Sequence, residues 1–393
     1  MWLAYGCFYL NRLNFAPVIP LIMEDLKISH AHIGLISTFF FAFHAAAQFP
    51  AGYLSDILGP RKIITFGGIT SALANFFFGA GSSLFYLIGF QSLNGLGQGG
   101  GFGPSVKLLN NWFPESARGR ALGIYATCVC TFSVLAYILA GYLGKAFGWR
   151  ASFWTPPIIL LSVLFVYWMV VDDSPDGNSV QGFPSRPHEP TEKCSGNVNR
   201  LIAILSNKAV RMACIGFSCL SYIRYAILVW LPVYLYESYG LSVVTASLLA
   251  AVYPMAGLMA SPLGGYLSDV AFGGRRKPLL LIALSFILLS TIFLASAGRL
   301  EWAMILIAGV GFFEQLIAPQ FFALELDVIP PELAGTGAGF LEAWGHVGSM
   351  CAMFFTGFLV DLFGSYKPVF LVLSILATIG IGSVLFVREN KSY

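Results

Sequence analysis

Apolar residues occur along this chain in twelve long blocks, near positions 1–22, 32–54, 63–82, 84–111, 119–143, 149–171, 209–236, 243–267, 278–297, 302–325, 334–360 and 366–387. A helix needs about 20 mostly apolar residues to cross a bilayer core. The pattern therefore predicts an all-α membrane protein with twelve transmembrane helices. One long polar gap, residues 172–208, carries Pro175, Pro184, Pro187 and Pro190 with mixed charge. That composition reads as a flexible linker. It divides the chain into an N-terminal six-helix bundle, 1–171, and a C-terminal six-helix bundle, 209–393.

The bulk composition agrees. Of 393 residues, 57% are hydrophobic and 10% charged, whereas a soluble domain carries about 25% charged residues. Such a chain has too few polar groups to cover its surface in water. The net charge of +3 is spread thinly, with no basic block on a helix face, so no nucleic-acid partner is expected. Seven cysteines are present, all but Cys194 in apolar segments and none at zinc-like spacing. They read as small buried hydrophobes. No motif implies a cofactor, a metal site or an enzyme. Met1 opens directly on an apolar segment with no basic stretch before it, and no cleavable signal peptide is recognisable, so the start reads as trimmed.

Basic residues orient the helices. With the linker inside, fourteen Lys/Arg fall on the inner side, among them Arg61, Lys62, Arg118, Arg120, Arg275, Arg276 and Lys277. Only Lys27, Lys145, Arg150, Arg299 and Lys367 fall outside. This asymmetry predicts cytoplasmic termini in a plasma (inner) membrane. Lys107 sits near the inner end of the fourth segment, which leaves Arg12 and Arg224 within spans.

The two halves are a repeat. The string GYLSD occurs at Gly52–Asp56 and again at Gly265–Asp269, each time followed by a glycine and a basic cluster. Arg12 precedes Pro20, and Arg224 precedes Pro232, by the same eight residues. Pro114, Gly119 and Gly123 match Pro330, Gly335 and Gly339 at nearly the same offset. Repeated six-helix halves place a substrate site at their interface near mid-membrane.

Arg12 and Arg224 are the leading candidates for that site. A charge at mid-bilayer depth costs a few kcal/mol, and arginine does not escape the cost by losing its proton. Its planar fork suits carboxylate or phosphate. The competing reading is a structural arginine paired with an internal acid. Glu342 and His346, at i, i+4 on one helix face, and Glu314 form a second intramembrane group. They are candidates for proton coupling or for binding a cationic part of the substrate; the competing reading is a satisfied interhelical hydrogen bond, or for Glu314 a fixed partner of Arg224. Tyr9, Asn11, Asn14, Gln48, Gln98, Tyr222, Tyr225 and Trp230 are candidate cavity-lining residues; taken singly, each reads as helix packing. His44 reads as a buried packing residue. The glycine-rich run Gly97–Gly103 lacks a following Lys-Ser/Thr, so it reads as a site of close helix contact and not a phosphate loop.

The stretch from Gly52 through Asp56 and Gly59 to Arg61 and Lys62 resembles the signature loop of the major facilitator superfamily. Its second copy contains Gly265, Asp269 and Arg275. The resemblance covers the whole chain and implies a pair of pseudo-symmetric bundles. It also implies that Asp56 and Asp269, with Gly52, Gly59, Arg61, Gly265 and Arg275, act as gating parts that hold the inner side closed; the competing reading of the two acids is a helix cap in a solvated loop.

Four further stretches are similar to the organophosphate:phosphate antiporter family and to related anion:cation symporters. They are Tyr9–Asn14, Gln98–Pro104 with Trp112, Tyr222–Pro232, and Ala323–Leu326 followed by Ala334–Phe340. Those families typically add a basic residue in helix 2 and a histidine in helix 5, or acids beside the first arginine and in helix 4. Here the matching positions are Gln48, Asn11 and Gln98, and helix 5 has no histidine. The resemblance implies secondary transport of a small organic anion (a sugar phosphate, another organophosphate or a carboxylate) by a monomer in the bilayer. Protons or inorganic phosphate are the implied co- or counter-ions. Drug or metabolite efflux, and a membrane sensor on a transporter scaffold, are the alternatives. The short linker, without a recognisable output module, speaks against the sensor.

Overall fold

The computed structural model describes residues 1–174, 207–326, 328–329 and 334–387. The expected linker therefore falls mostly on residues outside the described set. Among the described residues there are fifteen α-helices. In chain order they are α1 (Trp2–Leu13), α2 (Phe15–Leu26), α3 (His30–Leu58), α4 (Pro60–Phe78), α5 (Leu84–Gly99), α6 (Phe102–Trp112), α7 (Glu115–Phe147) and α8 (Ala151–Val170). After the linker come α9 (Lys208–Tyr239), α10 (Val243–Ala250), α11 (Val252–Val270), α12 (Lys277–Leu294), α13 (Leu300–Leu326), α14 (Ala334–Phe363) and α15 (Lys367–Phe386).

Three of the apolar blocks are broken helices, and proline accounts for each break. A proline has no N–H to donate to the carbonyl four residues back, and its ring crowds that carbonyl. Pro17, Pro104 and Pro254 stand four residues after Leu13, Gly100 and Ala250, and α1, α5 and α10 end at or within one residue of those positions. Joined across the breaks, the helices form twelve segments, in keeping with the twelve apolar blocks. Among the described residues, nine helical stretches are individually long and apolar enough to cross a membrane, by length and composition. The other segments are the broken pairs α1–α2 and α5–α6, and the more polar α4.

The halves repeat their packing as well as their sequence. In the first, α3 packs on α5, α4 on α5 and α8, and α1 on α7 and α8. In the second, α11 packs on α13, α12 on α13 and α15, and α9 on α14 and α15. These are the same pairings, helix for helix. Between apolar helices in lipid the hydrophobic effect is weak, so close backbone approach and polar contacts do the holding. A Cβ on Gly97 would lie 2.6 Å from the Gly67 carbonyl oxygen, and one on Gly95 would lie 2.3 Å from that of Phe40. Gly97 and Gly95 thus let α5 pack closely against α4 and α3.

Two surfaces join the halves: α3 against α14, and α7 against α10 and α11, with α2 meeting α9 between them. Linker-side and far-side ends are named here by the face on which residues 172–208 attach. Along α3 the contacts run from the far side to mid-depth. Thr38 donates to the Met350 carbonyl at 3.3 Å, and the His44 and His346 rings meet edge to face at 4.9 Å. Beyond Gln48 the linker-side end of α3 exposes Phe49, Tyr53 and Ile57. Helix α6, on that side, packs on α3, α4 and α7 of its own half. The space between the halves is therefore sealed on the far side and open toward the linker side.

Candidate functional site

Both intramembrane arginines reach the space between the halves. Arg12 projects from the end of α1. Its Nε and Nη2 both donate to Gln98 Oε1, at 3.2 and 3.0 Å, and its guanidinium lies 4.6 Å from the Tyr9 ring centroid. Gln98 is wholly buried, and its own amide donates to the Phe8 carbonyl (2.9 Å) and to Ser71 Oγ (3.0 Å). The amide orientation is thereby set, and the oxygen is left for the arginine. Gln98 reaches the central space through Arg12 and does not line it directly.

Arg224, in α9, has its Nε 3.7 Å from Glu314 Oε1. Glu314 is completely buried, and its second oxygen accepts from the Tyr253 hydroxyl at 3.4 Å. Each half thus holds its arginine with a residue from its own fourth segment, α5 or α13. Gln98 and Glu314 are also separated by the offset that relates Pro114 to Pro330. The halves differ in one respect that matters for function: the partner of Arg12 is neutral and the partner of Arg224 is acidic. Tyr9 and Tyr225 are close enough to interact electrostatically with both guanidinium groups.

Glu342 and His346 lie on α14 beside this pair. Their side chains are 3.8 Å apart, and the Glu342 side chain is about a third exposed (34%). Glu342 also interacts electrostatically with both arginines. His346 Nε2 meets Gln48 Oε1 across the interface at 2.8 Å. Gln48 therefore joins the halves at the depth where the far-side seal ends. His44 stacks on Phe40 and packs against His346.

Other candidates sit elsewhere. Asn11 donates to the Cys7 and Pro156 carbonyls, and Asn14 to Asn75 Oδ1 and the Ser152 carbonyl. Asn75 and Asn94 return hydrogen bonds to the Asn11 carbonyl, and Ser71 binds Asn94. This buried network ties α1 to α4, α5 and α8 beside the broken turn at Asn14. Tyr222 lines an apolar hollow between α9, α14 and α15 with Cys219 and Cys351. Trp230 packs at the far-side seal, with its ring 6.1 Å from His30. Tyr225 meets Phe41 edge to face at 4.6 Å, across the interface.

The residues expected to gate lie at the linker-side mouth, and those of the first copy pair with residues of the N-terminal half. Asp56 Oδ1 pairs with Lys107 Nζ at 2.5 Å, and the same Nζ donates to the Ser55 carbonyl. Gly59 adopts a φ of +91°, and a Cβ there would run into the Asp173 carboxylate. That carboxylate accepts the Arg61 backbone N–H at 2.7 Å, while the Arg61 side chain pairs with Asp172 and donates to the Trp168 carbonyl. In the second half Arg275 is exposed, and Ser268 accepts from Arg276 at 2.8 Å. The Asp269 side chain lies outside the described residues. Nothing stands within 4 Å of a Cβ built on Gly52 or Gly265. Among the described residues no group of His, Cys, Asp and Glu has the geometry of a metal site.

Reasoning from sequence did not find Tyr253, Ser71, Asn75, Asn94, Asp172 or Asp173, and it placed Lys107 at the inner end of its helix without pairing it with Asp56. For Asn75 and Asn94 a signal was present: two carboxamides in otherwise apolar helices must find partners.

Comparison with known proteins bears on the family and the fold. A hexose phosphate transport protein, so named as probable, of Chlamydia trachomatis is 27% identical over 378 residues, covering 90% of this chain and 82% of its own length. A probable sulfoacetate transporter of Cupriavidus necator is 27% identical over 408 residues, covering 99% of this chain and 92% of that protein. Among solved structures, a bacterial homologue of the lysosomal transporter Spinster, inward-facing and unoccupied, superposes with a TM-score of 0.77 at 20% identity. That match covers 98% of this chain and 93% of the other, and it bears on the fold. The family model of the Major Facilitator Superfamily matches residues 1–341 and, a second time, residues 213–392. With the repeated halves and the paired arginines between them, these matches show that the chain belongs to the major facilitator superfamily.

Proposed function

We propose that the chain is a secondary transporter that carries a small organic anion by alternating access, with Arg12 and Arg224 binding the anion between the halves. The observation that carries this reading is the pair of guanidinium groups, one from each half, facing a space that is open on one side only. An anion bridging them gains charge-assisted hydrogen bonds from both halves. Its binding therefore couples to their relative motion. The relatives named for hexose phosphate and sulfoacetate, both small organic anions, support the same class.

The charge balance narrows the class. Glu314 offsets Arg224, Glu342 stands close by, and Gln98 leaves the charge of Arg12 uncompensated. This arrangement favours a singly charged or zwitterionic organic anion over a phosphate dianion. Counterflow in proteoliposomes tests the proposal. Labelled organic anions are expected to exchange across the membrane and cationic drugs are not. Counterflow of the drugs alone would sink the anion reading. Including inorganic phosphate shows whether it serves as the counter-ion.

Three finer points belong to the proposal. The first is orientation: cytoplasmic termini in the plasma (inner) membrane, from the excess of basic residues on the linker side. A single cysteine at position 275 in a cysteine-free background is expected to react with an impermeant label only from the cytoplasmic side. Reaction from outside in intact cells would reverse the topology. The second is gating. Asp56, Arg61, Gly59 and Gly52 at one lip, and Gly265, Asp269 and Arg275 at the other, close the linker side in the opposite state. The unfilled space at Gly52 and Gly265 supports this. The third is coupling. Glu342 and His346 are the proton-carrying candidates, since one faces the central space and the other bonds across the interface to Gln48.

A further inference from the structure

At the far side one histidine of the N-terminal half is held between two carboxylates of the C-terminal half. His30 opens α3. Its Nδ1 lies 2.8 Å from Asp361 Oδ1 near the end of α14, and its Nε2 lies 2.9 Å from Glu237 Oε1 near the end of α9. Asp361 also accepts the backbone N–H groups of His30 (3.1 Å) and Ala31 (2.7 Å), so it caps α3 from the other half. A carboxylate there is favoured by the positive end of the helix. Tyr366, at the start of α15, donates to Glu237 Oε2 at 2.7 Å and fixes that carboxylate in turn. Close packing continues next to the cluster: a Cβ on Gly357 would lie 2.2 Å from the His30 carbonyl oxygen.

We propose that His30, Glu237 and Asp361 form a proton-binding site that latches the far side of the transporter shut. Both ring nitrogens face carboxylate oxygens. Only the imidazolium donates from both; a neutral ring donates from one and turns a lone pair toward the other carboxylate. Losing the proton removes one bond of the pair and leaves two carboxylates flanking an uncharged ring. The latch is therefore complete when His30 is protonated, and it weakens as pH rises through the titration of His30. Among the described residues, Glu237 and Asp361 are the charged groups that pair with His30; Tyr366 donates to Glu237, the Trp230 ring on α9 lies 6.1 Å from the His30 ring, and His32 on the same helix turns its Nδ1 to Ser29. The latch sits away from the arginine pair, so it does not depend on which anion is carried. Acid on the far side holds the molecule open to the linker side, and alkali releases it.

The test needs no substrate. Spin labels on cysteines replacing Glu24 and Ser238, one in each half at the far side, report the far mouth in nanodiscs. Histidine is the side chain that titrates near neutrality, so spectra at about pH 5.5 and about pH 8 bracket it. The labels are expected to give one short distance in acid and a longer population, several-fold larger, in alkali. His30→Gln and Glu237→Gln should each remove the pH response. Glu237→Gln leaves the Asp361 cap on α3 in place, so it reports on the latch if His30→Gln fails to fold. An unchanged distance distribution across that range, or a full pH response in Glu237→Gln, would overturn the latch. Either result would leave the anion site untouched.

Discussion

Arg12→Lys and Arg224→Lys are each expected to weaken substrate binding about tenfold to a hundredfold while the protein still reaches the membrane. Lysine keeps the charge but loses the fork, and a lost charged hydrogen bond is worth about 1.5–3 kcal/mol. The structure adds a distinction between the two. Arg12 spends two of its donors on Gln98, and a lysine there satisfies the amide oxygen with one bond. Arg224 stands beside an acid at 3.7 Å, and a lysine preserves that charge balance. Neither variant should therefore melt much below the parent without substrate. The measurement is the melting temperature with and without the transported anion. A variant that melts normally and is fully stabilised by substrate would remove its arginine from the site. A variant that melts early without substrate would mark that arginine as structural. A loss at one position only would mean that one half alone holds the anion.

Glu314→Gln should show the opposite signature. Its carboxylate is completely buried beside Arg224, so neutralising it breaks an internal ion pair. Removing one partner of a buried pair costs about 3–5 kcal/mol. The Arg224 side chain is 22% exposed, so water relieves part of that cost and the low end applies. The substrate-free melting temperature should fall clearly. The same change leaves Arg224 uncompensated, so a bound anion should restore more stability than in the parent, and doubly charged anions should gain most. Thermal melts in the presence of mono- and dianionic compounds read both effects. A substrate-free melt that matches the parent would show that Glu314 does not balance Arg224. An unchanged preference between the two anion classes would show that it does not set the charge of the site.

Much of the architecture was legible along the chain. The twelve apolar blocks, the GYLSD repeat and the matched arginine–proline spacings pointed to two six-helix halves, because burial in lipid and internal duplication both leave periodic marks. The helix breaks were not legible: Pro17, Pro104 and Pro254 stand four residues after them, yet Pro20, Pro50, Pro232 and Pro319 lie inside continuous helices. Placing Arg12 and Arg224 at the interface also needed nothing beyond the sequence, since a charge in a span has few other tolerable positions.

The partners of those arginines were less visible. Gln98 and Glu314 were both noticed as polar residues in apolar helices. That one anchors Arg12 and the other balances Arg224 depends on the depth at which two helices of one half meet. No local pattern encodes that depth. Asn11 and Asn14 show the same limit. Beside Arg12 in sequence they resemble site residues, yet the helix turns their carboxamides into the bundle, where Asn75, Ser152 and Pro156 receive them.

The far-side cluster marks the boundary most clearly. His30, Glu237 and Asp361 each stand at a helix end, where a charged residue reads as a solvated loop position. His30 and Asp361 are 331 residues apart, and they come together across the two halves. Composition, hydropathy and repetition thus determined that this protein spans a membrane as two related bundles with two arginines between them. Which side is sealed, which arginine is neutralised and which histidine bridges the halves were decided only by tertiary packing. Those properties are distances between groups far apart in the chain, and lipid selects for apolar surface without specifying which polar groups meet behind it.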